Sequence, residues 1–369
     1  VYDLAIVGAG IIGLAHARAA ARRGLRVVVL ERDAAANGAS IRNFGFAVVT
    51  GQAPGDDLRR ARQTRDIWLD LAPAAGIAIE HRGTLIAARR PEAMALLEAF
   101  ATTPEGEGCR LLDRAALAAF QPEIDGAAVL GALHSAGELR VESRHAIPRL
   151  TRYLADAMGV EFRFGVAVTA VAPPRIETSA GVVQAARVVV CPGDDLTGLY
   201  AERIRARNVT RCKLQMLRLA DPGFRLKAGV LTDLSLLRYA GFAALPQAKP
   251  LRARLQAEQP EMLENGVHLI AVQSGDGSLI LGDSHHYGPT PDPFASEAVD
   301  RLILSEFAAL LGPRPVTVTE RWTGTYASAG TSAFVDAPER DVRLVMVTSG
   351  TGASTGFAIG EETVAELFE

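Results

Sequence analysis

The chain opens with Asp3-Leu4-Ala5-Ile6-Val7-Gly8-Ala9-Gly10-Ile11-Ile12-Gly13, and after an Ala- and Arg-rich run it continues Arg26-Val27-Val28-Val29-Leu30-Glu31. The first apolar run suits a buried parallel strand. Gly8, Gly10 and Gly13 have the spacing G-x-G-x-x-G. Leu14 to Arg23 is made of good helix formers, and Gly24 can end that helix. Arg26 to Leu30 reads as a second strand, closed by Glu31. Each part has a role in holding a dinucleotide. Gly8 permits the tight turn, Gly10 lets backbone approach a pyrophosphate, and Gly13 lets helix and strand pack closely. The helix N-terminus offers free N–H groups to the phosphates, and Glu31 can accept hydrogen bonds from a ribose diol. An acid at that position disfavours a 2′-phosphate, so NADP is not expected. NAD and FAD both remain open on this stretch.

The rest of the composition narrows the class. A chain of 369 residues is long enough for two joined domains. Its 49% hydrophobic and 22% charged residues are those of an ordinary globular protein. A net charge of −3 indicates no general affinity for nucleic acid or an anionic membrane. Cys109, Cys191 and Cys212 lack CxxC spacing, so neither a disulfide framework nor a structural zinc is expected, and reduced thiols in a cytoplasmic protein are. The apolar start is broken by Asp3 and glycines and reads as neither a signal peptide nor a membrane span.

Beyond Glu31, Ala34 to Thr50 is a loop-like segment that would run beside the pyrophosphate. Ser40, Arg42 and Asn43 can donate there, and Gly45 allows close approach. Helices are expected over Asp56–Ala75, Pro91–Ala101, Leu112–Phe120, Arg144–Met158 and Ala295–Leu311, the fourth capped by Glu142 or Ser143. A hairpin-rich group from Val160 to Gln184 leads back to Arg187-Val-Val-Val-Cys191-Pro-Gly193, a buried strand ending in a glycine turn. Polar and apolar residues alternate from Lys213 in Arg211 to Leu219, which suggests a sheet with one face open to a cavity. Val267–Ser274 and Gly277–Gly282 form a hairpin about Gly275-Asp276-Gly277, and Arg321–Tyr326 adds a strand to the same sheet.

The chain ends with a second strand–turn–helix unit: Val342–Val347, then Thr348-Ser-Gly350-Thr351-Gly352-Ala353-Ser354-Thr355-Gly356, then a helix to Phe368. A second helix N-terminus aimed at the same cavity suits a flavin, because reduction places negative charge on its N1–C2=O side. A nicotinamide has no such need.

With these motifs in this order, the chain resembles the FAD-dependent D-amino-acid oxidase superfamily, in the branch with glycine oxidase and sarcosine oxidase. The resemblance covers nearly the whole chain. A narrower resemblance, to the branch associated with 2-aminoethylphosphonate catabolism, rests on several strings. They are Arg42-Asn-Phe-Gly45, Thr50-Gly-Gln-Ala-Pro54, Gly137-Glu-Leu-Arg-Val-Glu142, Arg211-Cys-Lys-Leu-Gln-Met-Leu217, Leu281-Gly-Asp-Ser-His285 and Glu320-Arg-Trp322. The resemblance implies an α/β two-domain flavoprotein. A discontinuous Rossmann-like FAD-binding domain would comprise residues 1–80, 141–205 and 335–369. A mixed-sheet substrate domain would comprise 81–140 and 206–334. It implies noncovalent FAD held by Gly8, Gly10, Ile12, Gly13, Glu31, Arg32, Ser40, Arg42, Asn43, Phe44 and Gly45. Val168, Cys191, Gly193, Gly350, Thr351, Gly352, Ala353, Ser354 and Thr355 complete that set. It implies oxidation of the C–N bond of a small amine to an imine, then an aldehyde, with dioxygen as acceptor. The narrower branch implies 2-aminoethylphosphonate or its N-methyl derivative. A glycine- or sarcosine-type oxidase and a noncatalytic FAD-binding subunit stand as alternatives.

Amino-acid oxidases of this family place a carboxylate-clamping arginine where Trp322-Thr-Gly324-Thr-Tyr326 puts Tyr326. The substrate's anionic end therefore needs other partners. The candidates are Lys213, Gln215, Arg238, Tyr239, His285, His286, Gln52 and Tyr326; the alternative for Lys213 is a fixed positive charge that faces the flavin and assists dioxygen reduction. His285 and His286 are not expected to bind metal, since neighbours on a strand point to opposite faces. Glu31→Ala is expected to weaken FAD retention, measured by flavin absorbance of the protein after dialysis; full retention would make the ribose contact unimportant.

Overall fold

A computed structural model describes residues 1–369. The first glycine turn joins strand Tyr2–Val7 to helix Ile11–Arg22, and strand Val27–Glu31 returns parallel to the first. Gly8 has φ +104°, and a Cβ on Gly13 would lie 1.8 Å from the Gly8 carbonyl oxygen. Only glycine permits that helix to lie so close to the turn.

These strands belong to a sheet with the order 333–336, 342–347, 181–190, 2–7, 27–31, 161–164. Its four inner pairings are parallel and its first is antiparallel. Strands Val168–Ala172 and Arg175–Thr178 form an antiparallel flap on Gly181–Val190. The apolar runs on Leu4–Ile6, Val27–Leu30 and Val188–Val190 are buried on both faces, as helix-covered parallel strands require.

The C-terminal helix Gly352–Phe368 packs along Ile11–Arg22. A Cβ on Gly356 would stand 2.9 Å from Ile12 Cδ1, and one on Gly360 would stand 2.8 Å from the Ala15 carbonyl carbon. The two helices therefore touch backbone to backbone, with their N-termini side by side.

The second sheet has the order 286–288, 210–219, 279–282, 270–273, 229–232, 79–88, 131–141, 46–47. Strand Val318–Ser328 pairs with the other edge of Thr210–Leu219. This sheet is antiparallel except where Gly229–Thr232 runs parallel to Ile79–Ala88. Helices Pro91–Ala101, Ala248–Glu258 and Glu297–Leu311 supply its apolar cover through residues such as Leu97, Leu251 and Phe307.

Glu142 stands at the N-cap of helix Ser143–Met158, but its side chain does not cap it. It accepts from Arg140 Nη2 at 2.9 Å, Ser274 Oγ at 2.7 Å and Arg218 Nη2 at 3.3 Å. Burial alone would raise the Glu142 pKa, but Arg140 and Ser274 bring it below the usual carboxylate range. Arg140 is fully buried and also donates to the carbonyls of Phe44 and Gln273. The network thus ties the 39–45 loop to the second sheet.

Gly360→Val is expected to force the two helices apart and cost about 1–3 kcal/mol of stability. Urea unfolding measures it; an unchanged midpoint and slope would show that the helices separate freely.

Candidate active site

The two helix N-termini, the 39–45 loop and one face of the second sheet enclose a cavity of about 630 Å³. At one end lie Gly10, Ile12, Gly13, Ser40, Arg42, Asn43, Phe44, Cys191 and Gly193. The C-terminal turn contributes Gly350, Thr351, Gly352, Ala353 and Ser354. At the other end lie Gln52, Arg238, Tyr239, His268, Asp283, His285 and Tyr326.

Local bonding explains how the first end keeps its shape. Glu31 Oε2 accepts from the Ala9 N–H at 2.7 Å, and Oε1 accepts from the Asp33 N–H at 3.0 Å. The carboxylate thus buttresses the glycine turn, and its remaining lone pairs can still accept from a diol. Ser40 Oγ accepts from the Ile11 N–H at 2.8 Å, which holds the loop against the helix start. Asn43 is a loop clamp: Nδ2 donates to the Ala39 carbonyl, and Oδ1 accepts from the Gly45 N–H and the Ser143 hydroxyl. Gly45 has φ +69° and leaves no room for a Cβ beside the Val141 carbonyl. Trp68 Nε1 donates to the Ala353 carbonyl, and Ser354 Oγ accepts from the Val48 N–H, fixing the second turn. Gly350, at φ +75°, lies against the Tyr326 ring. Gly8, Glu31, Arg32, Gly45, Val168 and Thr355 do not line the cavity. Arg32 forms an exposed pair with Asp195 at 2.8 Å, and Thr355 Oγ1 donates within its own helix. Val168 begins its strand two residues after Val166, whose N–H bonds the Glu31 carbonyl.

The other end is polar, with Gln52, His268, Asp283 and His285 buried and Arg238 exposed. Arg238 follows the turn Asp233–Leu237 and has no carboxylate partner within salt-bridge distance. Its guanidinium donates to the Tyr287 hydroxyl at 2.7 Å and the Tyr326 hydroxyl at 2.8 Å. Asp283 is buried, with Oδ1 lying 3.2 Å from His268 Nε2 and Oδ2 lying 3.7 Å from His285 Nε2. The His268 and His285 rings stack with centroids 5.1 Å apart. Burial pushes the Asp283 carboxyl up to about 7, and Arg238 offsets only part of that rise. Burial holds His285 down to about 3, and burial, His285 and Arg238 hold His268 well below its ordinary value.

Three sequence expectations for this end need correction. Lys213, Gln215 and His286 do not line the cavity. Lys213 Nζ donates to Asp292 and to the Phe294 carbonyl, and Gln215 bonds Ser296 and Asp300. Leu214, between them, is the residue that faces the cavity. Alternation had shown two faces, but the polar one is turned to the 289–300 segment. His286 pairs across the strands with Lys213 and bonds Asn265.

His268 and Asp283 were missed. The hairpin register puts Ile270 opposite Gly282 and, extended regularly, would put His268 opposite Ser284; instead the backbones of His268 and Asp283 bond each other, a one-residue shift with no sequence signal. With His285, they place imidazole nitrogens and carboxylate oxygens within 4.8 Å of one another.

No helix is long and apolar enough to cross a membrane. Residues 3–366 match the DAO family model, described as FAD dependent oxidoreductase. No curated protein matches the chain. Among solved structures it is similar to glycine oxidase from Bacillus cereus ATCC 14579, at TM-score 0.81 and 17% identity over 100% of this chain and 95% of that one. Glycine oxidase from Geobacillus kaustophilus gives TM-score 0.77 and 20% identity over 99% and 94%. L-proline dehydrogenase from P. horikoshii gives 0.77 and 18% over 99% and 92%.

Lys213→Met is expected to leave both flavin reduction and its reoxidation unchanged in stopped-flow traces, while making the 289–296 segment easier to cleave in limited proteolysis. A slowed half-reaction would return Lys213 to the chemistry.

Proposed function

The chain belongs to the DAO family of FAD-dependent oxidoreductases, and from that premise we propose that it oxidises the C–N bond of a small zwitterionic amine. The cradle fits the cofactor. A Cβ on Gly10 would crowd Ser40 Oγ at 3.0 Å, and one on Gly8 would meet the Cys191 carbonyl oxygen at 2.5 Å. The first glycine turn with Glu31 would hold the adenosine and pyrophosphate, and the Gly350–Ser354 turn would face the flavin ring. FAD, when bound, takes the hydride equivalent from the carbon next to nitrogen; the protein orients that carbon and sets the charges around it.

The observation that carries the substrate reading is a pair of uncompensated groups in one cavity. Arg238 is a cation with no acid partner, and Asp283 is a buried acid with no basic partner except neutral imidazoles. A ligand carrying one charge of each sign satisfies both. Tyr326 occupies the position where the family's clamping arginine is expected, and its hydroxyl is bonded to Arg238. Arg238 therefore reaches that position from another part of the chain. The two phenol hydroxyls can turn with it toward an anion of several oxygens, which favours a phosphonate. We assign 2-aminoethylphosphonate or its N-methyl derivative as substrate and dioxygen as acceptor, in a cytoplasmic setting. Glycine or sarcosine is the second reading, because Arg238 can also receive a carboxylate.

Anaerobic mixing with the two aminophosphonates, glycine and sarcosine, followed by flavin absorbance, decides between them. Bleaching by an aminophosphonate alone is expected. Bleaching by glycine or sarcosine alone would discard the phosphonate, and bleaching by no amine would favour a noncatalytic subunit. Arg238→Met is expected to raise the apparent Kd for the bleaching amine by roughly 30-fold or more. An unchanged Kd would place the anion elsewhere.

A further inference from the structure

We propose that Asp283, positioned by His268 and His285, receives the proton of the substrate ammonium before its C–H bond is broken. This rests on the amine-oxidation reading above. The argument is geometric. His285 Nδ1 lies 2.9 Å from the Gly266 carbonyl, which can only accept, so Nδ1 carries the proton and Nε2 a lone pair. His268 Nδ1 lies 3.1 Å from Ser235 Oγ, whose hydroxyl is directed at the Leu269 carbonyl. That arrangement places the proton on Nδ1 of His268 as well and leaves a lone pair on its Nε2. Both lone pairs are turned to the Asp283 carboxylate, at 3.2 and 3.7 Å. Asp283 Oδ1 is inaccessible and has no hydrogen-bond donor. Two lone pairs and a carboxylate facing one another in a buried site are stable only with a proton, or a donor of protons, among them. An ammonium group supplies that donor.

A divalent metal would also suit the three side chains in isolation. The cavity's charge decides against it. Asp283 is the one formal negative charge in the cluster, and Arg238 already adds a positive charge there. A dication would leave a net charge of +2 across Asp283 and Arg238, whereas a zwitterion leaves none. The groups facing Asp283 from the surrounding elements are Arg238, Tyr239, Tyr326, Cys212 and the two histidines. Burial raises both tyrosines and Cys212 above their usual ranges, leaving Asp283 as the group in this set that titrates near neutrality.

The step balances without a further reactant. One ammonium N–H bond breaks, and its electron pair stays on nitrogen. The proton bonds to Asp283 Oδ2, the carboxylate oxygen that is not shut in, giving a neutral carboxylic acid beside His285 Nε2. The free amine keeps the lone pair that the C=N bond needs; FAD, when bound, would take the hydride equivalent, and the acid would return its proton to water after the iminium product departs.

The test is the pH dependence of anaerobic flavin reduction in the FAD-loaded enzyme, using whichever amine bleaches it. The second-order reduction rate is expected to rise tenfold per pH unit up to about 7. It then stays level until the amine loses its own proton at roughly pH 10. Asp283→Asn should remove the break near 7 and the plateau, so that the rate climbs to the amine's own pKa, and should slow reduction at pH 7.5 by about 100-fold or more. The deficit shrinks toward pH 10 as free amine becomes available. Asp283→Glu should retain a break and a plateau. Independently of turnover, infrared difference spectra should show a carboxylic-acid C=O band disappearing as pH is raised through 7 in the wild type, and no such band in Asp283→Asn. A rate that climbs without a break to the amine's pKa in both proteins, or no infrared band, overturns the assignment while amine oxidation stands. One zinc or iron bound per chain and lost in Asp283→Asn also overturns it. Bleaching by no amine at any pH removes both readings.

Discussion

The contact on which the structure depends is the backbone-to-backbone meeting of helices Ile11–Arg22 and Gly352–Phe368. Gly356 and Gly360 remove the side chains that would hold the helices at an ordinary distance. With that spacing, two strands of one parallel sheet end in glycine turns that open on the same cavity. Two positive helix ends converge there, one suited to phosphate and the other to negative charge on a reduced ring. A pair of helices spaced by ordinary side chains would aim those ends at different places.

The polar end of the cavity obeys a second constraint, that of charge neutrality in a low-dielectric space. Arg140, Glu142 and Arg218 show how this fold treats charges that serve structure: each is closed by several short partners. Arg238 and Asp283 are treated differently. Each has neutral neighbours that steady it but none that cancels it. That contrast within one molecule sets Arg238 and Asp283 apart from the charges that serve packing.

What could be read in the sequence follows from range. Both strand–turn–helix units were legible because strand, turn and cap are local, and Glu31 lies within the first of them. The hairpin about Gly275-Asp276-Gly277 was legible for the same reason. The orientation of Thr210–Leu219 was not. A period of two sorts Lys213 and Gln215 from Leu214 but does not say which set meets the cavity, and the partner that decides it, Asp292 to Asp300, is distant in sequence. Helix Ala248–Glu258 carries little sequence signal, as its buried positions Ala248, Leu251 and Leu255 make a thin stripe without a cap. Asp283 lay within the string Leu281-Gly-Asp-Ser-His285, but its meeting with His268 was not legible, because it depends on a one-residue shift of the strand register.

The order of the segments has a consequence for how the protein is made. Strands 2–7, 181–190 and 342–347 lie side by side in one sheet, yet the helix that completes the cradle, Gly352–Phe368, follows nearly all the rest of the sequence. During synthesis the first glycine turn leaves the ribosome hundreds of residues before its partner. The nascent chain therefore carries a half-built cradle until that second turn-and-helix unit follows. A ribosome stalled before the last turn-and-helix unit would hold a chain with its glycine fingerprint intact and no finished place to keep a flavin.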